Sequence, residues 1–397
     1  MYSDLSLYLT KTIDKTTKKN QGIYFTPPKT IFNTLKYIEP YLHSFTNVLE
    51  PSCGSCEYIT AIHKQCPHLN ITGIEYNYNI FNTLQDIMND KIKIINKDFL
   101  LYDESNKYDL IIGNPPFRVL KIQDVDKKYY EFFDGRPNLF IIFIIKSLSM
   151  LNDNGILSFI LPKNFLNCIY YDQTRSYINT HFTILEIIEC DCKYIDTQQS
   201  TINLIIQNKI PDTNENYVLN VHEYTIFGIP DNIKQLKTLY HNSKSLYKLN
   251  FKVSVGNIVW NQCKSILTND STKTRLIYSS DIVDNQLIFK KYKNKEKLNF
   301  IDKPGINKPL LVINRGYGTG NYNFHFCLIN GNYNYLIENH LVCIKYTNTI
   351  NDNELIELYN KIITSLNDDR TKLFIKLYFG NNAINTTELN YILPIYL

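Results

Sequence analysis

Four short apolar runs reach, in turn, Glu50, Glu75, Asp98 and Asn114: Asn47 to Glu50, Asn70 to Glu75, Lys91 to Asn96 leading into Lys97-Asp98, and Tyr108 to Gly113. Runs this short, with little polar alternation, read as strands buried on both faces. Helical stretches between the earlier ones make the connections parallel. Such a sheet gathers the carboxyl ends of its strands along one edge, where open α/β folds bind ligands. Three later runs, Ile156 to Leu161, Ile184 to Glu189 and Thr201 to Gln207, bring the total to seven. The pattern predicts an α/β fold with a doubly wound, mostly parallel sheet, and it puts the chemistry at that one edge.

The turn after the first run, Pro51-Ser52-Cys53-Gly54-Ser55-Cys56, precedes a helix running to about Lys64. A strand, a small-residue turn and a helix start make a pocket of backbone N–H groups that a cofactor can approach closely. Glu75 follows Gly54 by 21 residues, the spacing at which a carboxylate reaches the ribose hydroxyls of an adenosine cofactor.

The fourth run stops at Gly113 and turns through Asn114-Pro115-Pro116-Phe117. An exocyclic amine on an aromatic ring has a delocalised lone pair, and it attacks an activated methyl group poorly unless acceptors hold its two N–H bonds. The Asn114 side-chain oxygen and the Pro115 carbonyl can be those acceptors. The prolines fix φ and remove competing donors, and Phe117 offers a flat face to a planar substrate. No charged base is needed, because the proton can leave after the methyl has arrived.

The tetrapeptide resembles the catalytic motif of S-adenosylmethionine-dependent amino methyltransferases. With Thr26-Pro27-Pro28 ahead of the first strand, Glu50-Pro51-Ser52-Cys53-Gly54-Ser55, the Asn138-Leu139-Phe140 helix start and the Gly155 to Pro162 strand, residues 22 to 209 resemble the gamma-type N6-adenine DNA methyltransferases. That resemblance implies S-adenosylmethionine as cofactor and double-stranded DNA as substrate, with an adenine flipped out of the helix. It implies cofactor contacts from Thr26 to the methionine carboxylate, from Glu50, Ser52, Cys53 and Gly54 at the turn, from Glu75, Asp98 and Phe99 to the adenosine, and from Leu139 to the adenine. It further implies that Tyr194, seven residues before Thr201, stacks on the target base opposite Phe117. The family carries a glycine where this chain has Cys56, and capping alone could explain Thr26.

A polar stretch, Asp212 to Asn216, separates a catalytic domain, 1–211, from a smaller mixed α+β domain, 212–397, expected to recognise the DNA target. Net charge is only +4, but the positive excess lies in the second half, where Lys290, Lys291, Lys293, Lys295, Lys297, Lys303, Lys308 and Arg315 face only Glu296 and Asp302. A polyanion would be attracted there. Lys290, Lys291 and Lys293 are the expected phosphate contacts, with Arg315 and Tyr317 in the glycine-rich stretch 315–322. A separate restriction endonuclease of matching specificity is a candidate second partner.

The longest apolar run, Leu139 to Ile145, stops at Lys146, far short of a bilayer span. The first twenty residues have no apolar core of signal-peptide length. The nine cysteines lack paired zinc spacings, so no metal site is expected and the thiols read as reduced and intracellular. An RNA or protein amino methyltransferase, or a catalytically weak DNA-binding relative, would share the core motifs.

Overall fold

In the fourth strand, β4 (Tyr108–Gly113), Ile111 enters one hydrophobic cluster while its neighbours Leu110 and Ile112 enter another. Successive side chains leave a strand on opposite faces, so this strand must be covered twice, and burying each such side chain stabilises the fold by roughly 1.5–3 kcal/mol. The computed structural model describes all residues except 1, 104, 192, 193, 198, 291, 315–323 and 379–383. It forms two compact units, Met1–Ile233 and Lys234–Leu397.

The first unit is built on a seven-stranded sheet of order β3-β2-β1-β4-β5-β7-β6. Its strands are β1 (Asn47–Glu50), β2 (Asn70–Glu75), β3 (Ile92–Asn96), β4, β5 (Leu151–Pro162), β6 (Thr183–Cys190) and β7 (Thr201–Gln207). All pairings are parallel except those of β7 with β5 and β6. The order reverses between β1 and β4, so their carboxyl ends flank the crevice where such sheets take ligands.

Helices α1 (Asp4–Thr12), α2 (Lys15–Gln21), α3 (Pro28–Leu42), α4 (Glu57–Gln65), a single turn α5 (Tyr78–Phe81), α6 (Leu139–Ser149) and α7 (Asp172–His181) complete the unit. α3 and α4 cover one face of the sheet and α6 the other. Lys146, which interrupts the apolar run of α6, is only 2% exposed; its ammonium donates to the carbonyls of Leu100 (2.9 Å) and Tyr102 (2.7 Å). That lysine fixes the segment after Asp98.

Two segments are more ordered than their sequence suggested. The polar N-terminus folds into α1 and α2, capped by Ser3 and Asp14, and α1 docks on α4 through the Ser3 hydroxyl, 2.6 Å from Glu57 Oε1. Residues 118–135, charged and aromatic without clear period, are pinned at the base by Leu139 N to Arg118 O (2.8 Å) and Leu120 N to Pro137 O (2.9 Å). Between these, Val125, Tyr129 and Phe133 are buried in the core, apolar anchors that a pattern without period conceals. The compact units part after residue 233 and not at 211, because the hairpin β8 (Val218–Val221) and β9 (Tyr224–Phe227) stays with α7: Asp172 accepts from Thr225 N at 2.8 Å.

The second unit holds an antiparallel sheet of strands Phe251–Val255, Leu341–Tyr346, Leu310–Asn314 and Phe326–Ile329, and a mixed sheet that includes Thr274–Ile277 and Tyr335–Ile337. Val312 and Cys343 of the first sheet share a buried cluster with Ile277 and Ile337 of the second. Helices Asp352–Asn367 and Asp369–Tyr378 complete it.

Cys56 caps α4 at φ 59°, ψ 31° with its side chain fully buried. A left-handed conformation costs an L-residue roughly 1–2 kcal/mol, which explains why the pattern this stretch resembles has glycine there. Glycine's extra freedom in the unfolded chain takes back about 0.5–1 kcal/mol. Cys56→Gly is therefore expected to be more stable than Cys56→Ala by about 1 kcal/mol in urea denaturation; equal stabilities would show that this backbone turn carries no strain.

Candidate active site

At the carboxyl edge of β1, β2 and β4 lies a cleft of about 880 Å³, counted to its open mouth. Ser52, Gly54, Glu75, Asp98, Phe99, Asn114, Pro116 and Leu139 line it. A second cavity of about 470 Å³ is lined by Pro115, Phe117, Tyr194, Thr197, Gln199 and Thr201. Gly22, Tyr24 and Asn114 border both. Of the residues expected at the site, Thr26, Glu50 and Cys53 are buried but do not line either cavity.

The larger cleft has a polar side and an apolar side. Glu75, at the end of β2, accepts from Gly54 N (2.9 Å) through Oε2 and from Asn77 N (2.7 Å) through Oε1. Burial outweighs these two hydrogen bonds and pushes its carboxyl up to about 7. Glu50, in the wall between β1 and β4, is buried as well; desolvation holds its carboxyl well above the ordinary range, and Oε2 lacks a hydrogen-bond partner. Phe99 and Phe143, with centroids 4.8 Å apart, and Leu139 make the apolar side. Asp98 accepts from Leu100 N (2.9 Å) through Oδ1, which fixes the carboxylate at the cleft wall.

Where the cavities meet, Asn114 Nδ2 donates to the Tyr24 carbonyl (3.0 Å), and the Asn114 carbonyl accepts from Ser52 Oγ (3.2 Å). The first bond settles which end of the amide is committed to the protein. Oδ1 remains the acceptor. Phe117 packs edge-on against Phe140 at 5.9 Å, and Tyr194 is 7% exposed with its hydroxyl 3.5 Å from Thr201 Oγ1.

The contribution of the N-terminal arm was missed in the sequence beyond Thr26. Gly22 ends α2 at φ 71°, and a Cβ there would stand 2.8 Å from Pro116 Cβ. Only glycine lets the arm lie against the catalytic turn. Gln21 Oε1 accepts from Asn77 Nδ2 (2.8 Å), and Arg118 donates to Asn20 O (3.3 Å). The helix-ending glycine was the readable signal.

In the second unit, Lys290 and Lys293 are exposed; Lys291, Arg315 and Tyr317 lie outside the described residues. Among the described residues, no cluster of His, Cys, Asp and Glu could hold a metal ion, and no helix is long and apolar enough to cross a membrane.

Residues 2–195 match the family model of the Eco57I restriction-modification methylases. The chain is 26% identical to the type II methyltransferase M.CvrRI of Paramecium bursaria Chlorella virus XZ-6E over 97% of each chain. It is 27% identical to the modification methylase CviBIII of virus NC1A, covering 97% of this chain and 96% of that one. In fold it is similar to a chain of the DrdV–DNA complex solved by cryoEM, at 13% identity and a TM-score of 0.52, over 96% of this chain and 57% of that one.

The larger cleft fits the cofactor of such enzymes. A buried carboxylate at its wall suits paired hydroxyls, and an apolar slot suits a purine. The match over residues 2–195 makes the first unit similar to the Eco57I restriction-modification methylases.

Proposed function

We propose that this protein is a site-specific DNA methyltransferase of restriction–modification type that methylates N6 of an adenine turned out of the duplex. The observation that carries this reading is the position of Asn114 on the border of two cavities, with its amide nitrogen already committed to Tyr24. S-adenosylmethionine supplies the methyl group. Glu75 and Asp98 hold its adenosine, with Phe99 and Leu139 against the purine. In the second cavity, Phe117 and Tyr194 grip the target base, and Asn114 Oδ1 and the Pro115 carbonyl accept its two amino N–H bonds. Extrusion costs a few kcal/mol, offset by stacking of about 1–3 kcal/mol per base. Cytosine C5 methylation needs a thiolate, and none of the described cysteines lines either cavity.

The second unit is the proposed target reader. Glu296 and Asp302, the acids of the lysine-rich stretch, are already paired with Lys264 (2.6 Å) and Lys273 (2.8 Å). The exposed Lys290 and Lys293 are thus left to act on an outside anion. Phe289, half-exposed beside Lys290, lies over the Arg275 guanidinium at 3.9 Å, which suits contact with bases as well as phosphates.

Expression in a host lacking adenine methylation, followed by modification-sensitive sequencing of its DNA, is expected to show N6-methyladenine within one short motif. Methylation of RNA or peptide, with none of duplex DNA, overturns the reading. Asn114→Ala loses a hydrogen bond worth about 1.5–3 kcal/mol, so kcat should fall about 10- to 150-fold while calorimetric cofactor affinity holds; wild-type turnover would remove Asn114 from the reaction.

Below about pH 7 the Glu75 carboxyl is protonated and loses acceptor capacity toward hydroxyl donors. Cofactor binding should tighten as pH rises from 6 to 8, approaching tenfold per unit on the acid side, and Glu75→Gln should flatten that profile. Lys290→Ala and Lys293→Ala should each lower the slope of log K against log salt for DNA by about 1, with kcat unchanged at saturating DNA.

A further inference from the structure

The loop after β6 brings Tyr194 to the second cavity, and its described residues 194–197 form neither helix nor strand. Something else must hold it. Two residues beyond Tyr194, Asp196 Oδ2 lies 2.7 Å from Lys18 Nζ. The Lys18 side chain is 7% exposed, and its ammonium also donates to the Thr10 carbonyl. Both acceptors lie on the seam between the arm and this loop, where Thr10, Tyr24 and Phe25 face Tyr194, Ile195 and Asp196 around a small hollow. A buried ammonium stripped of its carboxylate is strongly unfavourable, so the pair stays closed.

The arm has other moorings. Its first helix is held by Glu57 through Ser3 and Ser6, its end by Gln21 on Asn77, and Gly22 lies against Pro116. The Lys18–Asp196 pair is therefore not required to dock the arm or to shape the larger cleft. It joins the arm that carries Gly22 and Tyr24 to the loop that carries Tyr194, and all three line the second cavity.

We propose that Lys18 and Asp196 are positioning residues: a half-buried clasp, joining residues 178 apart in the chain, that holds Tyr194 at stacking distance from the base bound against Phe117. The proposal rests on the assignment of Tyr194 as the second stacking ring. The clasp acts on the substrate base alone, so it separates target handling from cofactor binding.

The test uses the full chain with Lys18→Met, Asp196→Asn, their double variant and the reversed pair Lys18→Asp/Asp196→Lys. Cofactor Kd is measured by calorimetry, kcat and KM with duplex DNA, and base extrusion by fluorescence of a duplex carrying 2-aminopurine at the methylated position. The single variants are expected to lose about tenfold or more in kcat and most of the fluorescence gain. Cofactor Kd should stay within twofold, the double variant should be no worse than either single, and the reversed pair should recover part of the loss. Asp196 is a third exposed, so Asp196→Asn keeps the test open should Lys18→Met fail to fold.

Unchanged kcat and fluorescence in the single variants overturn the proposal. So does a parallel loss of cofactor affinity, which marks a general structural role, and so does a loss that Tyr194→Ala does not reproduce. If the wild-type protein methylates only RNA or peptide, the functional reading fails separately, and the same split between kcat and cofactor Kd on that substrate decides the clasp.

Discussion

A strand covered on both faces can offer chemistry only where it ends, and the site depends on that constraint. Leu110, Ile111 and Ile112 of β4 are fully buried, so the next residues along the chain are the first that can meet a ligand. Those are Asn114 and the two prolines. Because β1 and β4 are neighbours running in the same direction, the turn after Glu50 and the turn after Gly113 emerge side by side, and Ser52 reaches the Asn114 carbonyl at 3.2 Å. The hydrophobic effect that fixes the sheet thereby also fixes the distance between these two turns.

Sheet and catalytic turn do not close the site by themselves. The N-terminal arm adds the Tyr24 carbonyl that orients the Asn114 amide, the glycine that lies on Pro116, and the lysine that reaches Asp196. An amide free to flip would offer its N–H₂ and its oxygen to the target in turn. With Nδ2 bound to Tyr24 the amide is held in one orientation, so in the proposed reaction its acceptor is set before the substrate arrives.

The seven strands, α4, α6 and the residues at the sheet edge were legible because buried strands write their length and boundaries into the sequence as apolar runs. Thr201 to Gln207 is a strand over that whole run. What was illegible lacks that signature. α1 and α2 are held by a capping Ser3 hydroxyl and a capping Asp14 carboxylate and by single buried contacts such as Leu9 and Lys18, and a buried lysine is indistinguishable in sequence from the exposed ones around it. Residues 118–135 bury Val125, Tyr129 and Phe133 with no regular spacing, so pattern gave no warning that they pack. Glu50 reads like Glu75, since both end strands, yet only Glu75 lines the cleft.

The two cavities differ in charge as sharply as in shape, and the difference suits the division of labour proposed for them. Glu75, Asp98 and Arg118 line the larger cleft, whereas the described residues that line the second cavity are Gly22, Tyr24, Asn114, Pro115, Phe117, Tyr194, Thr197, Gln199 and Thr201, none of them charged. A carboxylate there would be desolvated by an incoming base and would need a partner that a neutral amine does not supply. Neutral acceptors can bind the amine without that cost, and their attraction grows as the nitrogen gains positive charge during transfer. In the proposed reaction the site therefore stabilises the charge only once it has developed, which is where binding energy accelerates a reaction.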